Sequence, residues 1–424
     1  MRRSVTARAA PAAGRQGRRA PAVPSVVRLS YAGVPAPVIL PADGVVQAAL
    51  TGVVHGWPCA AAPDTQETPP VSVTLPDPAT PGTYAYGVAD LDAPLGGLPP
   101  ASAACAVLAD LSVAFCRALP GGIGLHCGAV VIGGRLVLIL GGHRAGKSTL
   151  VARLGAEPGV SVIGDDVLPV TAGGEALALG LSPRLRLPLP AGIGPALPRA
   201  LARHGAAADD RYAFFRPPGL LPFGTRMRPG AVVLLRRGAP GTPARLHHLP
   251  QAEAVRVLVG QALTGLGPPE EALDRVGRLV AGLPAMTLCY SDLDGAAHLL
   301  AGGFARGGVP AADPAPAAPA PAPAADPPAD PDAALRCARG LALRLAEGGA
   351  FLWRAGETRL WHLNAMARAL WVLAEDAGPS GLTPRDAARA LEALFPDTKG
   401  AVILEDACAA FGGFLAQGFV EAAG

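Results

Sequence analysis

Lysine is almost absent from this 424-residue chain, which contains only Lys147 and Lys399, and aromatic residues make up 4% of it. So few aromatic side chains argue against the base-stacking surfaces of single-strand nucleic-acid binders. The first 21 residues have no acid and six arginines, and without those six charges the formal net charge of +3 becomes −3. The rest of the chain therefore lacks the basic excess typical of nucleic-acid binders, and we expect no nucleic-acid partner. Residues 1–24 are predicted to be a disordered basic tail.

Paired cysteines and long apolar runs are also lacking. The seven cysteines are scattered and none forms a C-x-x-C pair, so the sequence predicts neither a disulfide framework nor a zinc ribbon. A reducing cytoplasm is the simplest location. No apolar run reaches the roughly 18 residues of a membrane span, and the tail lacks the apolar core of a signal peptide. We therefore expect no membrane partner.

What the chain does contain is a glycine loop at residues 141–149 that fits G-x-x-x-x-G-K-[ST], a pattern whose backbone N–H groups surround nucleotide phosphates. Lys147 is expected to reach the outer phosphates and the Ser148 hydroxyl to help hold Mg²⁺. Apolar residues 136–140 predict a strand before the loop, and residues 148–156 a helix after it. The alternative is a glycine-rich turn without a ligand. The sequence predicts ATP and Mg²⁺ as cofactors, with the nucleotide bound by Gly141, Gly142, His143, Arg144, Ala145, Gly146, Lys147, Ser148 and Thr149.

Other apolar patterns predict a mixed α/β chain. Short apolar or alternating runs predict strands at 26–30, 45–54, 71–75 and 83–88, and residues 101–119 predict a helix. Strands at 129–132 and 136–140 are joined by Gly133-Gly134, which favours a hairpin turn with positive φ. Farther on, the patterns predict a strand at 160–163, helices at 251–263 and 270–283, a strand at 285–290 and a helix at 293–304.

One segment separates the chain into parts. Residues 309–332 are almost entirely Ala, Pro and Asp, a composition that favours an extended, semi-rigid spacer over a folded core. We therefore divide the chain into the tail 1–24, a β-rich segment 25–100, a central block 101–306, a linker 307–334 and a small C-terminal domain 335–424.

Two adjacent aspartates are candidates for the chemistry. Asp165 and Asp166 follow the predicted strand 160–163. If this strand lies beside the one that precedes the glycine loop, its terminal carboxylates face the nucleotide. One carboxylate, with Asp165 as the metal candidate, would hold Mg²⁺; the other would take the proton of an attacking hydroxyl as general base. Which of the two is the base stays open, and two turn residues after a strand are the alternative.

His126 and several arginines are further candidates. His126 lies at the start of the predicted hairpin, where it could donate a hydrogen bond or relay a proton; a structural histidine is the alternative. The arginines include candidates for a phosphate clamp, among which the sequence does not select: Arg184, Arg186, Arg211, Arg216, Arg226 and Arg228.

Together, Leu125-His126, the hairpin, the glycine loop and Gly164-Asp165-Asp166-Val167 resemble the catalytic domain of HPr kinase/phosphorylase, most closely over residues 124–170. This resemblance implies a P-loop kinase fold related to phosphoenolpyruvate carboxykinase and transfer of phosphate from ATP to a protein serine. It also implies Asp166 or Asp165 as base, with His126 and Lys147 in the catalytic site. The chain has no counterpart of the family's Gly-Arg-Asn signature, so the reverse phosphorylase activity is not expected. Because relatives are often hexameric, a homo-oligomer is left open.

The C-terminal domain has a winged-helix-like pattern. Strands are predicted at 341–345, 350–354 and 359–363, followed by helices at 365–375, after Thr383, and at 404–417. Asn364 is a predicted helix cap, and Thr383-Pro384-Arg385-Asp386 fits a capping box. A DNA-binding function is disfavoured, because this domain lacks a recognition helix rich in Arg, Asn or Gln.

This order of elements, with Arg344-Leu345, Trp361-His362-Leu363-Asn364 and Gly418-Phe419-Val420, is similar to PqqD, which recognises leader peptides of ribosomally made, modified peptides. The resemblance implies a peptide partner bound by residues 335–424 as an added strand. A self-docking accessory domain is the alternative.

The sequence therefore predicts an HPr-kinase-like, ATP-dependent serine kinase that acts on a peptide or small protein whose leader the C-terminal domain holds. Two alternatives stay open. One is a nucleotide-binding peptide chaperone or scaffold without phosphotransfer, and the other is a small-molecule kinase.

Overall fold

The computed structural model describes residues 25–63, 68–88, 91–190, 192–314, 326–357, 359–393 and 398–423. The predicted basic tail and residues 315–325 of the predicted linker lie outside them. Within the described residues the protein is mixed α/β, with ten α-helices and several mixed or antiparallel sheets.

The N-terminal part is a six-stranded sheet with two helices, in the strand order β3-β1-β2-β4-β5-β6. Its elements are β1 (Val26–Tyr31), β2 (Val38–Pro41), α1 (Val45–Val53), β3 (Cys59–Ala61), β4 (Ser72–Pro76), β5 (Tyr84–Gly87), β6 (Leu95–Leu98) and α2 (Pro100–Ala118). The strands predicted at 26–30, 71–75 and 83–88 and the helix at 101–119 are confirmed. Helix α2 shares its core with this sheet, although the sequence boundaries placed it in the following block.

The strand predicted at 45–54 is wrong, because the segment is helix α1. Its buried residues Val46, Leu50 and Val53 recur with the 3.6-residue period of a helix. The helix begins after Gly44, whose φ of 76° is left-handed, and the Asp43 side chain accepts a hydrogen bond from the Val45 N–H. Because the run is apolar, the sequence does not reveal this helical period. Burial of one face of the segment in the folded protein determines that it is a helix.

The central part contains the loop-bearing sheet, in the strand order β10-β8-β9-β17-β20-β18. The elements are β7 (Ile123–Leu125), β8 (Gly128–Ile132), β9 (Arg135–Leu140), α3 (Lys147–Gly155), β10 (Val160–Gly164), β11 (Leu168–Val170), β12 (Ala176–Leu177), β13 (Arg184–Arg186), α4 (Ala196–His204), β14 (Gly205–Ala208), β15 (Tyr212–Phe215), β16 (Arg226–Met227), β17 (Pro229–Arg237), β18 (Arg245–His248), α5 (Gln251–Gly260), β19 (Ala262–Thr264), α6 (Pro269–Val280), β20 (Ala285–Tyr290) and α7 (Leu293–Phe304). Strands β9, β17 and β20 are parallel, whereas β8 and β18 are antiparallel to their neighbours. The helix predicted at 251–263 ends early, because residues 262–264 pair with β7 as β19.

Alternation along the strands builds a core on each face of this sheet. On β9, Val137 and Ile139 pack in the same core as α3 and α7. Leu138 and Leu140 point to the opposite face, into the core that includes α5 and α6. Successive strand residues face opposite sides of a sheet, so both faces of the loop-bearing strand are covered and its end is held firmly.

The predicted β8–β9 hairpin is confirmed. Gly133 and Gly134 have φ values of 56° and 79°, the left-handed region that a two-residue primed turn needs and that glycine adopts without a Cβ clash.

The C-terminal part follows a turn of 3₁₀ helix at Ala305–Gly307 and the predicted linker. Its elements are β21 (Leu335–Cys337), β22 (Leu341–Ala346), β23 (Gly349–Arg354), β24 (Leu360–Asn364), α8 (Ala365–Asp376), a 3₁₀ turn (Gly378–Ser380), α9 (Pro384–Glu392), α10 (Gly400–Ala416) and β25 (Val420–Ala422). The predicted caps are confirmed: the Asn364 side chain accepts from the Ala367 N–H, and that of Thr383 accepts from the Asp386 N–H.

This C-terminal part packs on the central one. Leu273 of α6 lies in one apolar cluster with Phe351 and Trp353 of β23, and Arg344 forms an ion pair with Asp274. Both described ends of the predicted linker are also bound: Asp313 pairs with β18, and the buried Ala329 donates its N–H to the Cys408 carbonyl. The C-terminal sheet thus has a defined seat on α5 and α6.

Helix α2 has the length and mean hydropathy of a membrane span, although the sequence predicted none. Most of its apolar stretch is buried inside the structure, as in the core helix of a soluble protein.

Candidate nucleotide site

The glycine loop lies between the end of β9 and the start of α3. Its backbone is left-handed at Gly146, with φ of 98°, and at Arg144, with φ of 63°. A left-handed angle is unfavourable for a residue with a Cβ, so the Arg144 backbone is held against its preference. The loop ends at a helix N-terminus, where unpaired backbone N–H groups favour an anion.

The single lysine of the loop is turned toward its own backbone. Lys147 is 7% exposed, and its Nζ donates to the carbonyl oxygens of Gly141, at 2.9 Å, and Gly142, at 3.3 Å. Burial lowers the pKa of Lys147, while the nearby carboxylates of Asp165 and Asp166 oppose that change. The ammonium group therefore lies at the loop, close to both aspartates.

The expected position of the aspartate strand needs a correction. Strand β10 pairs with β8, not with the loop-bearing strand β9. Because β8 is antiparallel to both neighbours, β10 still runs in the same direction as β9. Both strands therefore end at the same edge of the sheet, and this brings the aspartates to the loop across one intervening strand.

Asp165 is a buried carboxylate next to Ser148. It is 5% exposed, its Oδ2 accepts from the Arg184 N–H at 3.2 Å, and its buried Oδ1 has no hydrogen-bond partner within the described residues. Burial raises its pKa to about 6, the Asp166 charge adds to the rise, and interactions with Arg184 and the Ser148 side chain oppose it. A buried carboxylate oxygen without a partner costs free energy of folding. We therefore expect a cation or a water molecule to bind this atom.

Asp166 lies at the centre of a short polar chain. Its Oδ1 is 3.3 Å from Nδ1 of His126, and its Oδ2 accepts from Nη2 of Arg184 at 2.9 Å. Its φ of 70° is left-handed, a strained angle for a non-glycine residue and one that recurs at functional sites. Arg184 is held in turn by Cys105 of α2, whose Sγ accepts from Nη1 at 2.7 Å. The carboxylate is thus oriented by two neighbours.

His126 is anchored through its backbone. Its N–H donates to the Gln261 carbonyl at 2.7 Å, and the Gln261 side chain donates to the Gly141 carbonyl, also at 2.7 Å. Burial and the Lys147 charge lower the pKa of His126, against the opposing effect of Asp166. The imidazole is therefore mainly neutral at pH 7, a form that has one donor and one acceptor nitrogen.

Lys147, Asp166, His126 and Arg184 line one cavity of about 270 Å³ at the edge of the sheet, whereas Asp165 does not line it. Cavities of about 760, 750 and 290 Å³ lie elsewhere and do not contain the loop. The cavity at the loop is the candidate site because the predicted site residues line it. The residues that line it are His126, His143, Arg144, Ala145, Gly146, Lys147, Ser148, Thr149, Asp166, Arg184, Arg186, Pro188, Pro190 and Arg237.

The predicted candidates fall into two groups. The structure brings Lys147, Ser148, both aspartates and His126 together, along with Arg184 and Arg186. Arg211, Arg216, Arg226 and Arg228 do not line this cavity.

Sequence reasoning missed Gln261 and Arg237. Gln261 carries no local pattern. The apolar run 231–235 followed by two arginines could have predicted Arg237, since it is typical of a parallel strand that ends at the loop edge.

The chain matches none of the protein-family models and none of the curated proteins with which it was compared.

Proposed function

We propose that this chain is an ATP-dependent, HPr-kinase-like serine kinase acting on a peptide or small protein, with a PqqD-like domain at residues 335–424 that holds the leader. The observation that carries the proposal is the convergence of Lys147, the Ser148–Asp165 pair and the His126–Asp166–Arg184 chain on one cavity. A P-loop kinase fold and a cytoplasmic location belong to the same proposal.

The glycine loop would hold the phosphates of ATP through its backbone N–H groups and Lys147. Arg144 and Arg186, both exposed and lining the cavity, add positive charge where a triphosphate carries negative charge. Such a concentration of cations favours a nucleoside triphosphate over a neutral ligand.

Asp166 is the proposed general base. Its carboxylate lines the cavity, whereas that of Asp165 is buried behind it. The hydroxyl oxygen of the acceptor serine would form a bond to the γ-phosphorus while the bond to the β–γ bridging oxygen breaks, and ADP leaves. Asp166 would take the hydroxyl proton, with His126 and Arg184 fixing the carboxylate in place.

The residues near the loop fit a magnesium ion. Oxygen ligands are what Mg²⁺ prefers, and Asp165 Oδ1 is a buried oxygen without a partner among the described residues, close to the Ser148 hydroxyl. Ser148 and Asp165 would hold the ion. When bound, it supplies positive charge against the phosphate oxygens.

The C-terminal sheet offers edges for an extended peptide. Within the described strands, β22 and β24 each pair only with β23, so each has one side open to a further strand. One face of β23 is seated on α6 through Phe351 and Trp353. A leader held at this sheet would keep the acceptor residue at high local concentration near the kinase cavity.

The test is phosphate transfer from γ-labelled ATP with Mg²⁺ to candidate short peptides, taken from any that are encoded next to this chain's gene. Label on the peptide that disappears with Lys147→Ala supports the kinase. Tight binding of both ATP and peptide without label would overturn it in favour of a nucleotide-dependent chaperone.

Deleting residues 333–424 distinguishes a peptide kinase from the remaining alternative, a small-molecule kinase. A peptide kinase should lose affinity for its peptide and keep its affinity for ATP. A small-molecule kinase should keep full activity on its own substrate.

A further inference from the structure

Arg237 lies at the loop edge of the sheet, although no pattern in the glycine loop includes it. Strand β17 is parallel to β9, with Leu234 opposite Leu140. Arg237, three residues beyond Leu234, is the last residue of β17 and still pairs with Tyr290 of β20, so it lies at the edge of the sheet beside the start of the loop. It lines the candidate cavity with Lys147 and Asp166.

The Arg237 guanidinium is fixed against an aromatic ring. Its Cζ lies 4.7 Å from the ring centroid of Tyr290, which is fully buried on β20. The Tyr290 hydroxyl lies 3.4 Å from the Ala145 carbonyl oxygen. A Cβ on Gly146 would be 3.1 Å from Arg237 Nη2 and 3.0 Å from the Tyr290 hydroxyl. The guanidinium is thus in contact with the loop residue that precedes Lys147.

Arg237 lacks the carboxylate partners that hold two other arginines near this sheet. Arg184 is paired with Asp166, and Arg153 with Asp294 and Glu157. Within the described residues, no carboxylate lies within ion-pair distance of Arg237. Stacking leaves the N–H groups of a guanidinium available, and its planar fork suits phosphate oxygens.

We propose that Arg237 is a catalytic residue that donates to the terminal phosphoryl group of the bound nucleotide and neutralises its charge during transfer. This role rests on the proposed phosphotransfer. An arginine supplied by the same chain stabilises the transition state in some phosphoryl-transfer enzymes. Tyr290 is then a positioning residue, because it acts through the stacked guanidinium.

The test compares Arg237→Ala and Arg237→Lys with Arg236→Ala as the matched control. Arg236 is also exposed but precedes Arg237 on the strand, and its charge acts on Glu253 of α5. Calorimetry with Mg²⁺ would measure the affinity of each variant for ADP and for the β,γ-imido analogue of ATP. Thermal unfolding of each variant verifies that it is folded.

For Arg237→Ala we expect about tenfold weaker binding of the imido analogue or more, with ADP affinity changed by less than about twofold. Phosphotransfer at saturating ATP should fall by about 10³-fold. For Arg237→Lys, both the imido-analogue affinity and the rate of phosphotransfer should lie between those of Arg237→Ala and those of the native chain. Lysine keeps the positive charge but loses the planar, two-pronged guanidinium. Arg236→Ala should match the native chain.

Failure of this inference differs from failure of the proposed function. A native chain that transfers no phosphate overturns the kinase proposal, while the two nucleotide affinities still test whether Arg237 contacts the terminal phosphoryl group. An unchanged ratio of imido-analogue to ADP affinity in Arg237→Ala overturns the role of Arg237, even in an active kinase.

Discussion

At the loop edge of the central sheet, the chain departs from ordinary backbone and burial preferences. Arg144 and Asp166 are the only non-glycine residues with positive φ in the described part of the chain, and Asp165 buries an oxygen without a partner there. At the contact between α6 and the C-terminal sheet, the apolar side chains of Leu273, Phe351 and Trp353 pack together.

The difference indicates what each region is built for. Strain and buried charge cost stability and persist where function requires them, whereas apolar packing contributes stability and orientation. Substitutions at the loop edge should therefore affect chemistry more than folding, and substitutions at the contact should do the reverse.

The largest expected effect is that of Asp166→Asn. Loss of the proposed base should lower the rate of phosphotransfer by about 10²- to 10⁴-fold, with ATP affinity changed only a few-fold, as measured by initial rates and calorimetry. Asp274→Asn makes the same chemical change in the exposed ion pair with Arg344 and should keep near-native rates. An Asp166→Asn protein with more than a third of native activity would show that another group takes the proton.

Asp165→Asn should separate stability from function most clearly. Burial raises the pKa of Asp165 to about 6 from an ordinary 3.8. Below about pH 4 the carboxyl is neutral in both folded and unfolded chains. Between pH 4 and 6 only the unfolded chain ionises, so the native protein loses stability as pH rises and the loss is complete above pH 6.

Without nucleotide and Mg²⁺, Asp165→Asn should therefore raise the free energy of unfolding at pH 7.5 by about 1–3 kcal/mol. The gain should shrink as pH falls from 6 to 4, as measured by denaturant unfolding, and phosphotransfer should be lost. A variant that is less stable at pH 7.5 would mean that the ionised Asp165 is well compensated in the fold.

Sequence patterns predict this site better than they predict its surroundings. The glycine loop, Asp165-Asp166 and His126 are local patterns, and the structure brings them into one place. The order β10-β8-β9 depends on long-range pairing, so the sequence could not show that the aspartate strand lies one strand away from β9. Helix α1 was mistaken for a strand because its partners in the N-terminal core are distant in sequence.

Phe351→Ala tests the other side of the comparison. Removing this ring, which is 3% exposed at the contact with α6, should destabilise the contact by about 3–5 kcal/mol. Hydrogen exchange in Pro269–Val280 should then increase, while ATP affinity stays within about twofold. Leu345→Ala, on a side chain that is 66% exposed, is the control and should change neither. If Phe351→Ala also weakened ATP binding by more than about twofold, the contact would be supporting the loop as well.

The smallest expected effect lies at helix α5 and tests whether the two regions are independent. Gln261, just beyond the C-terminal end of α5, donates to the Gly141 carbonyl at 2.7 Å, and Gln251, at the start of the helix, donates to the Leu283 carbonyl at 2.9 Å. Gln261→Met keeps the side-chain length and removes one neutral hydrogen bond, worth about 0.5–1.5 kcal/mol. Calorimetry should therefore show ATP binding weakened by about 2- to 10-fold.

Gln251→Met removes an equivalent bond away from the loop and should leave ATP affinity unchanged. Because Val255 and Val259 of α5 also pack in the cluster with Phe351, the helix contacts the C-terminal sheet along its length and the loop at its end. If Gln251→Met weakens ATP binding as much as Gln261→Met does, the loop depends on the seating of the whole helix. The separation between a catalytic edge and a structural contact would then fail.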